Sequence, residues 1–342
     1  MPLSHSGKYQ WHNLPDATIS TPLLTNHLQG DNLCWSTDEC MRYNLINYQT
    51  DVTWLSKMRT ENLFIPTQDG YRLAGTEFTP VKSNGIALIL NGATGVLRNY
   101  YQGFASYLCD AGFTVLTFEF RGIGESTSQS ETSPQPSMLH WGERDMGDVL
   151  TFYTDRHSDK TIKGIGHSIG GQLLGVVPDN NRYKSFLNVA SQHIHWKSWP
   201  LKQRPMAFSF FFIVLPLFYK LTGGLPKWVL GAEYLPKQVA KDWSRFARKT
   251  WIADSNGSPL REGFYTYTGS MRFIGLADDK NFAPPPAVKR LAGIFKNADK
   301  EVLIIKPQDY EMRSIDHFGF FKKKMNKRAW QECADWLAQK TA

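Results

Sequence analysis

The sequence predicts an α/β fold built on a mostly parallel sheet with helices packed on both faces. Three features carry that prediction. From residue 58 onward, short apolar runs alternate with amphipathic segments of helical period. Several of the short runs, such as "GIALIL" (85–90), are apolar throughout, as a strand covered on both sides must be. A glycine-rich turn, "KGIGHSIGGQ" (163–172), joins one such strand to a helix.

Taken in order, "ENLFIP" and "YRLAGTEF" read as two strands joined through Asp69-Gly70, a hairpin signal. "GIALIL" follows, then the helical pattern "YYQGFASYLCDAG", closed by Gly112. "FTVLTFEF" is the next strand, and the polar loop "STSQSETSPQPS" leads to the helix "WGERDMGDVLTFYTDR". Then come the strand "TIKGIG", the turn at Ser168, a helix over "IGGQLLGVV" and the strand "SFLNVAS". Two more strands, "MRFIGLA" and "EVLIIK", enclose the helix "PPAVKRLAGIF", and "NKRAWQECADWLAQK" closes the chain as an amphipathic helix. The organisation expected is an N-terminal extension (1–57), a first core part (58–192), an inserted cap (193–269) and a second core part (270–342). The extension lacks sustained periodicity and is expected to be loosely ordered. Met58, directly ahead of the patterned segment, would serve equally as a start.

Composition narrows the function. With 342 residues, 42% hydrophobic and 20% charged, the chain can bury a sizeable core. Its four cysteines, Cys34, Cys40, Cys109 and Cys333, show no metal-binding spacing, and a reduced, cytoplasmic protein is expected. The net charge of +8 is densest at "KKKMNKR" (322–328), but no nucleic-acid motif accompanies it, so no nucleic-acid partner is expected. The first residues lack the pattern of a secretory signal. The most apolar run, "MAFSFFFIVLPLFYKL" (206–221), is short for a membrane span and contains Pro216; it is expected to be a buried lid or an interfacial helix.

The turn at Ser168 decides the chemistry. A dinucleotide fingerprint would need a third glycine where Ile169 stands, and a phosphate-binding loop would need Lys where Gln172 stands. Both readings fail. Gly166-His167-Ser168-Ile169-Gly170 instead fits G-x-S-x-G, a sharp strand-to-helix turn that strains the serine and lifts its hydroxyl above the sheet edge. Positions two before and two after must be small, and the helix N-terminus favours an oxyanion.

With these residues in place, the chain from about residue 58 resembles the α/β-hydrolase family, particularly its esterase, lipase and serine-aminopeptidase-like members. The resemblance rests on "LILNGATG", "FEFRGIGES", "GHSIGG" and "DHFGFF". Asn91 stands where many members have His, and Glu119 where they usually have Asp. The resemblance implies the chain order nucleophile, acid, base: Ser168, then an aspartate past "MRFIGLA", then His317 in "SIDHFGFF". His193 and His195 come too early for that order. Asp279 is the preferred acid because Ala277 takes the small-residue position opening the turn, and Asp278 stays open as the alternative. Oxyanion donors are expected at the N–H groups of Ile169 and Ala93.

The function expected is hydrolysis of a small to medium apolar or mixed ester through an acyl-enzyme, with no metal or organic cofactor. The same residues would equally serve an acyltransferase, a thioesterase or an amidase, while a non-catalytic binding module would predict an eroded triad. The apolar cap would exclude water and select an apolar group, and it suits weak contact with a lipid or membrane surface.

Overall fold

The computed structural model describes residues 58–128 and 134–339. The expected extension (1–57), with Cys34 and Cys40, lies outside the described residues.

The strands are β1 (Arg59–Pro66), β2 (Tyr71–Thr79), β3 (Ile86–Asn91), β4 (Thr114–Phe118), β5 (Thr127–Ser128), β6 (Thr161–His167), β7 (Ser185–Val189), β8 (Gly224–Leu225), β9 (Leu235–Pro236), β10 (Ser270–Leu276) and β11 (Lys300–Ile305). Among the described residues the main sheet runs β1-β2-β4-β3-β6-β7-β10-β11, with β5 added antiparallel to β2. The β1–β2 hairpin and the β2–β4 pair are antiparallel. From β4 across to β11 all neighbours are parallel. Every residue of β4 and β7 is buried, as helices on both faces require.

The predicted strands all form, and so do the principal core helices, at Gln102–Asp110, Gly147–Arg156, Pro285–Ile294 and Lys327–Ala338. Two helices differ in form from the expectation. The one after Ser168 is α-helical only over Ile169–Gln172 and tightens to 3-10 geometry over Leu173–Val176. Pro178 forces Val177 out of helical conformation (φ −74°, ψ 126°), and glycines at 170, 171 and 175 weaken what precedes it. The helix over 141–156 begins with a π-helical turn, Trp141–Met146.

Parallel order places the C-terminal ends of β3, β6, β7 and β10 along one edge, where an open α/β sheet holds its site. The register sets Asn91 beside Gly166, and His167 beside Val189. The loop after β4 is anchored by Arg121, which is fully buried. It donates through Nε to Asp145 at 2.6 Å and through Nη1 to Asp69 at 2.7 Å. Cys109 and Cys333 are buried free thiols, both pushed up to about 12 by burial.

Between β7 and β10 the chain leaves the sheet. A helical stretch runs from Leu201 to Leu221, π-helical at Phe210–Val214, and is followed by the small β8–β9 ribbon and the helix Lys237–Ala247. Ala207, Phe211 and Leu215 form its buried inner face, with Phe211 against Trp243. Contrary to the expectation that the run is short for a membrane span, the stretch is long and apolar enough to cross one by length and composition, with 17% of an 18-residue apolar segment of it buried. Of the two expected forms, the buried lid is therefore not what is seen.

Candidate active site

Ser168 sits at the end of β6 with φ 54° and ψ −114°, a strained backbone for a residue with a side chain. The turn is held from both sides: Ser168 N–H donates to Val189 O at 3.1 Å, and its own carbonyl accepts from Gly171 and Gln172. The flanking glycines are obligatory. A Cβ on Gly166 would lie 2.6 Å from Gly171 Cα, and one on Gly170 would lie 2.1 Å from the Asn91 carbonyl oxygen. Ser168 is 8% exposed, so a reactant can reach it while bulk water is largely kept away.

His317 and Asp279 come together although 38 residues separate them. Asp279 Oδ2 accepts from His317 Nδ1 at 2.6 Å, and both side chains are buried. The same carboxylate accepts from the N–H groups of Phe282 and Ala283, at 3.0 Å each. Burial pushes the Asp279 carboxyl up, but the hydrogen bond and charge of His317, with those two N–H groups, outweigh it and hold the group below its ordinary value. The tip of the imidazole, Nε2, remains available to a reacting group. Phe282 packs over the ring with centroids 4.9 Å apart, fixing its plane.

Asp278, the alternative acid, does something else. Its Oδ2 accepts from the N–H groups of Ile315 (2.8 Å) and Asp316 (3.0 Å), so it pins the turn that carries His317. His193 points to Ser198, with Nδ1 and Oγ 2.8 Å apart, and burial depresses it to about 4.

The link between His317 and the serine turn runs through the neighbour of Ser168. His167 Nε2 lies 3.0 Å from the His317 carbonyl, which can only accept, so Nε2 carries the proton. His167 Nδ1 must then accept, and its partner is Tyr101 Oη at 2.9 Å. The Tyr101 oxygen in turn accepts from Ala93 N–H at 2.7 Å. One buried chain of three hydrogen bonds thus joins the turn after β3, the turn after β6 and the His317 loop. Burial and the charge of His317 keep His167 well below its usual value, opposed by its bond to the His317 carbonyl, and so neutral. Tyr100 adds a hydrogen bond to the Phe318 carbonyl. Sequence reasoning missed this pair; the signal was the "YY" opening the helix pattern directly after "NGATG".

Ala93, the expected second oxyanion donor, gives its N–H to Tyr101 Oη at 2.7 Å. Among the described residues the N–H groups of Thr94 and of Ile169 have no acceptor. No hydrogen bond joins the Ser168 hydroxyl to His317 among these residues; such bonds commonly tighten only once substrate is bound. The two departures from the family pattern are structural: Asn91 Nδ2 donates to Ile165 O at 3.1 Å, and Glu119 is bonded to Arg98 and the Glu125 N–H.

Two cavities adjoin Phe282 and Phe318, the aromatic neighbours of His317, and neither lining includes Ser168 or His317. One, of about 250 Å³, is walled by Trp199, Met206, Phe210, Val214, Trp243 and Phe282, and is apolar. The other, a more open groove of about 710 Å³, runs past Gly95, Tyr100, Trp228 and Phe318.

A family model described as the α/β-hydrolase fold matches residues 88–213. No curated protein matches the sequence. Among solved structures, DcsB in complex with its substrate analogue is similar at a TM-score of 0.58 and 14% identity, over 82% of this chain and 99% of that one. An esterase from Pyrococcus furiosus is similar at 0.54 and 15%, over 83% and 92%. A soluble variant of the Saccharomyces cerevisiae monoglyceride lipase, in complex with a substrate analogue, is similar at 0.55 and 15%, over 81% and 95%. At these identities the likeness is one of fold.

Proposed function

We propose that this chain, which has the α/β-hydrolase fold, is a serine hydrolase cleaving a carboxylic ester that carries an apolar acyl chain. One observation carries the reading: a buried Asp279–His317 pair, 2.6 Å apart, is tied through His167 to a strained serine with glycines on either side.

In the proposed mechanism, Ser168 Oγ attacks the ester carbonyl while His317 Nε2 takes the hydroxyl proton. Asp279, an acceptor at Nδ1, holds the ring in the tautomer that leaves Nε2 basic and stabilises the imidazolium that forms. The N–H groups of Ile169 and Thr94 receive the oxyanion; Thr94 replaces Ala93 because its N–H is unspent. The tetrahedral adduct collapses, the alcohol leaves with the proton from His317, and an acyl-serine remains. Water, deprotonated by the same nitrogen, then releases the acid.

The apolar cavity beside Phe282 supports an acyl chain on that side. Its lining of Trp199, Phe210, Phe211, Trp243 and Phe282 suits a hydrocarbon chain. The test is a series of p-nitrophenyl esters of graded length, run with Ser168→Ala. Turnover should peak at medium chain length and vanish in the variant, together with labelling by a fluorophosphonate. Hydrolysis that survives in Ser168→Ala would remove the proposed mechanism, and a flat chain-length profile would remove the acyl site.

A further inference from the structure

The outer face of the cap helix is apolar without being buried. Met206, Ile213, Leu217 and Leu221 recur on it at spacings of seven, four and four, and all are more than 40% exposed. Trp228, on the short helix Lys227–Leu230, is 75% exposed. A soluble fold gains nothing by displaying such a row, and a contiguous apolar face of this kind marks an interaction surface.

Charge around the face selects the partner. Between His193 and Ala232 there are five basic residues, Lys197, Lys202, Arg204, Lys220 and Lys227, and no acidic one. The groove that Trp228 lines is also lined by Lys322, the first residue of the exposed run Lys322-Lys323-Lys324. Among the described residues the only acidic one lining that groove, Glu233, is already paired with Lys227 at 2.6 Å. The same helix supplies Met206, Phe210 and Val214 to the apolar cavity. An exposed apolar stripe, an exposed tryptophan and a basic surround are what an interfacial helix requires on an anionic bilayer.

We propose that this cap face, with Trp228 and the Lys322–Lys324 run, docks the protein on an anionic lipid bilayer, so that the open groove and the apolar cavity face the lipid. The inference deepens the ester reading by naming a lipid as the substrate source. Its readout is vesicle binding, with turnover only a control, so the failure of either leaves the other standing.

The experiment is flotation of the full-length protein with phosphatidylcholine vesicles and with vesicles containing roughly one-third phosphatidylglycerol. Binding to the anionic vesicles should be at least about tenfold tighter, and it should weaken as salt is raised. Ile213→Ser/Leu217→Ser and, separately, Lys220→Glu/Lys323→Glu/Lys324→Glu should each lower binding about tenfold. Both variants should keep the parent's melting temperature and its turnover of a water-soluble short ester. Equal binding to both vesicle types, no binding to either, or undiminished binding by the variants would overturn the proposal. Capture by an immobilised acidic acyl-carrying protein without vesicle binding would also overturn it, and would assign the face to a protein partner.

Discussion

Replacing Tyr101 by Phe tests whether the buried chain beneath the site is what holds its loops in register. The hydroxyl removed is fully buried and has two partners, Ala93 N–H at 2.7 Å and His167 Nδ1 at 2.9 Å. Neither partner has a replacement at hand: Ala93 is 3% exposed and His167 is not exposed at all. Leaving one buried polar group unpaired costs about 1–3 kcal/mol. Two such groups, less the relief of no longer burying the hydroxyl, give a loss of roughly 2–4 kcal/mol. For a domain of this size that corresponds to a fall in melting temperature of about 3–7 °C.

Activity should fall as well, since His167 would lose the partner that orients it toward the His317 carbonyl. The expected loss is about tenfold in kcat with KM little changed, because no substrate-lining group is touched. Thermal unfolding and ester kinetics on the same preparation check both numbers. An unchanged melting temperature would refute the accounting of unsatisfied groups. A large fall in stability with kcat intact would show that the chain supports the fold without positioning His317.

Asp279→Asn should lower kcat by about 10⁴, the cost of the wrong imidazole tautomer in a triad. Asp278→Ala, which frees the Ile315 and Asp316 N–H groups to partial hydration, should cost only about 1 kcal/mol of stability and a modest share of kcat; equal losses at both positions would dissolve the distinction between them. Gly170→Ala drives a methyl into the Asn91 carbonyl, so chemical denaturation should report a loss of about 1–3 kcal/mol, and a variant as stable as the parent would contradict the close approach of β3 to the serine turn. Acid stability should depend on Glu77, which burial pushes up but which His157 and Arg156 hold down from 4.5 to about 2. A depressed carboxyl stabilises the fold above its unfolded value and loses that contribution as pH falls from 4.5 to about 2. With screening by water at Arg156, the contribution is about 1.5 kcal/mol. Glu77→Gln should therefore flatten the acid limb of the stability curve measured by urea unfolding, and an unaltered limb would exclude Glu77 as its source.

What the sequence could disclose follows from how locally each feature is encoded. The parallel strands were readable because a strand covered on both faces must be apolar at every position, as β4 is from Thr114 to Phe118 apart from its threonines. The serine turn was readable because its sterics fall within five consecutive residues. The cap was not readable as elements. Its helix mixes α- and π-helical turns around Pro216, which breaks the period on which such reading depends.

The bond that engages Ala93 was hidden for a related reason. A backbone N–H has no signature in the sequence, and what claims it here is Tyr101, eight residues on and across a turn. Tyr101 looked like one more apolar position of an amphipathic helix, and by burial it is one. Its hydroxyl, however, satisfies both Ala93 and His167 at once. Such a role shows only when β3 and β6 are set side by side. The residues proposed to do the chemistry are thus marked by local constraint, and those proposed to aim them are marked only by the register of the sheet. Substitutions at Tyr101 and Asp278 should accordingly separate aiming from chemistry more cleanly than substitutions at Ser168 or His317, where the two coincide.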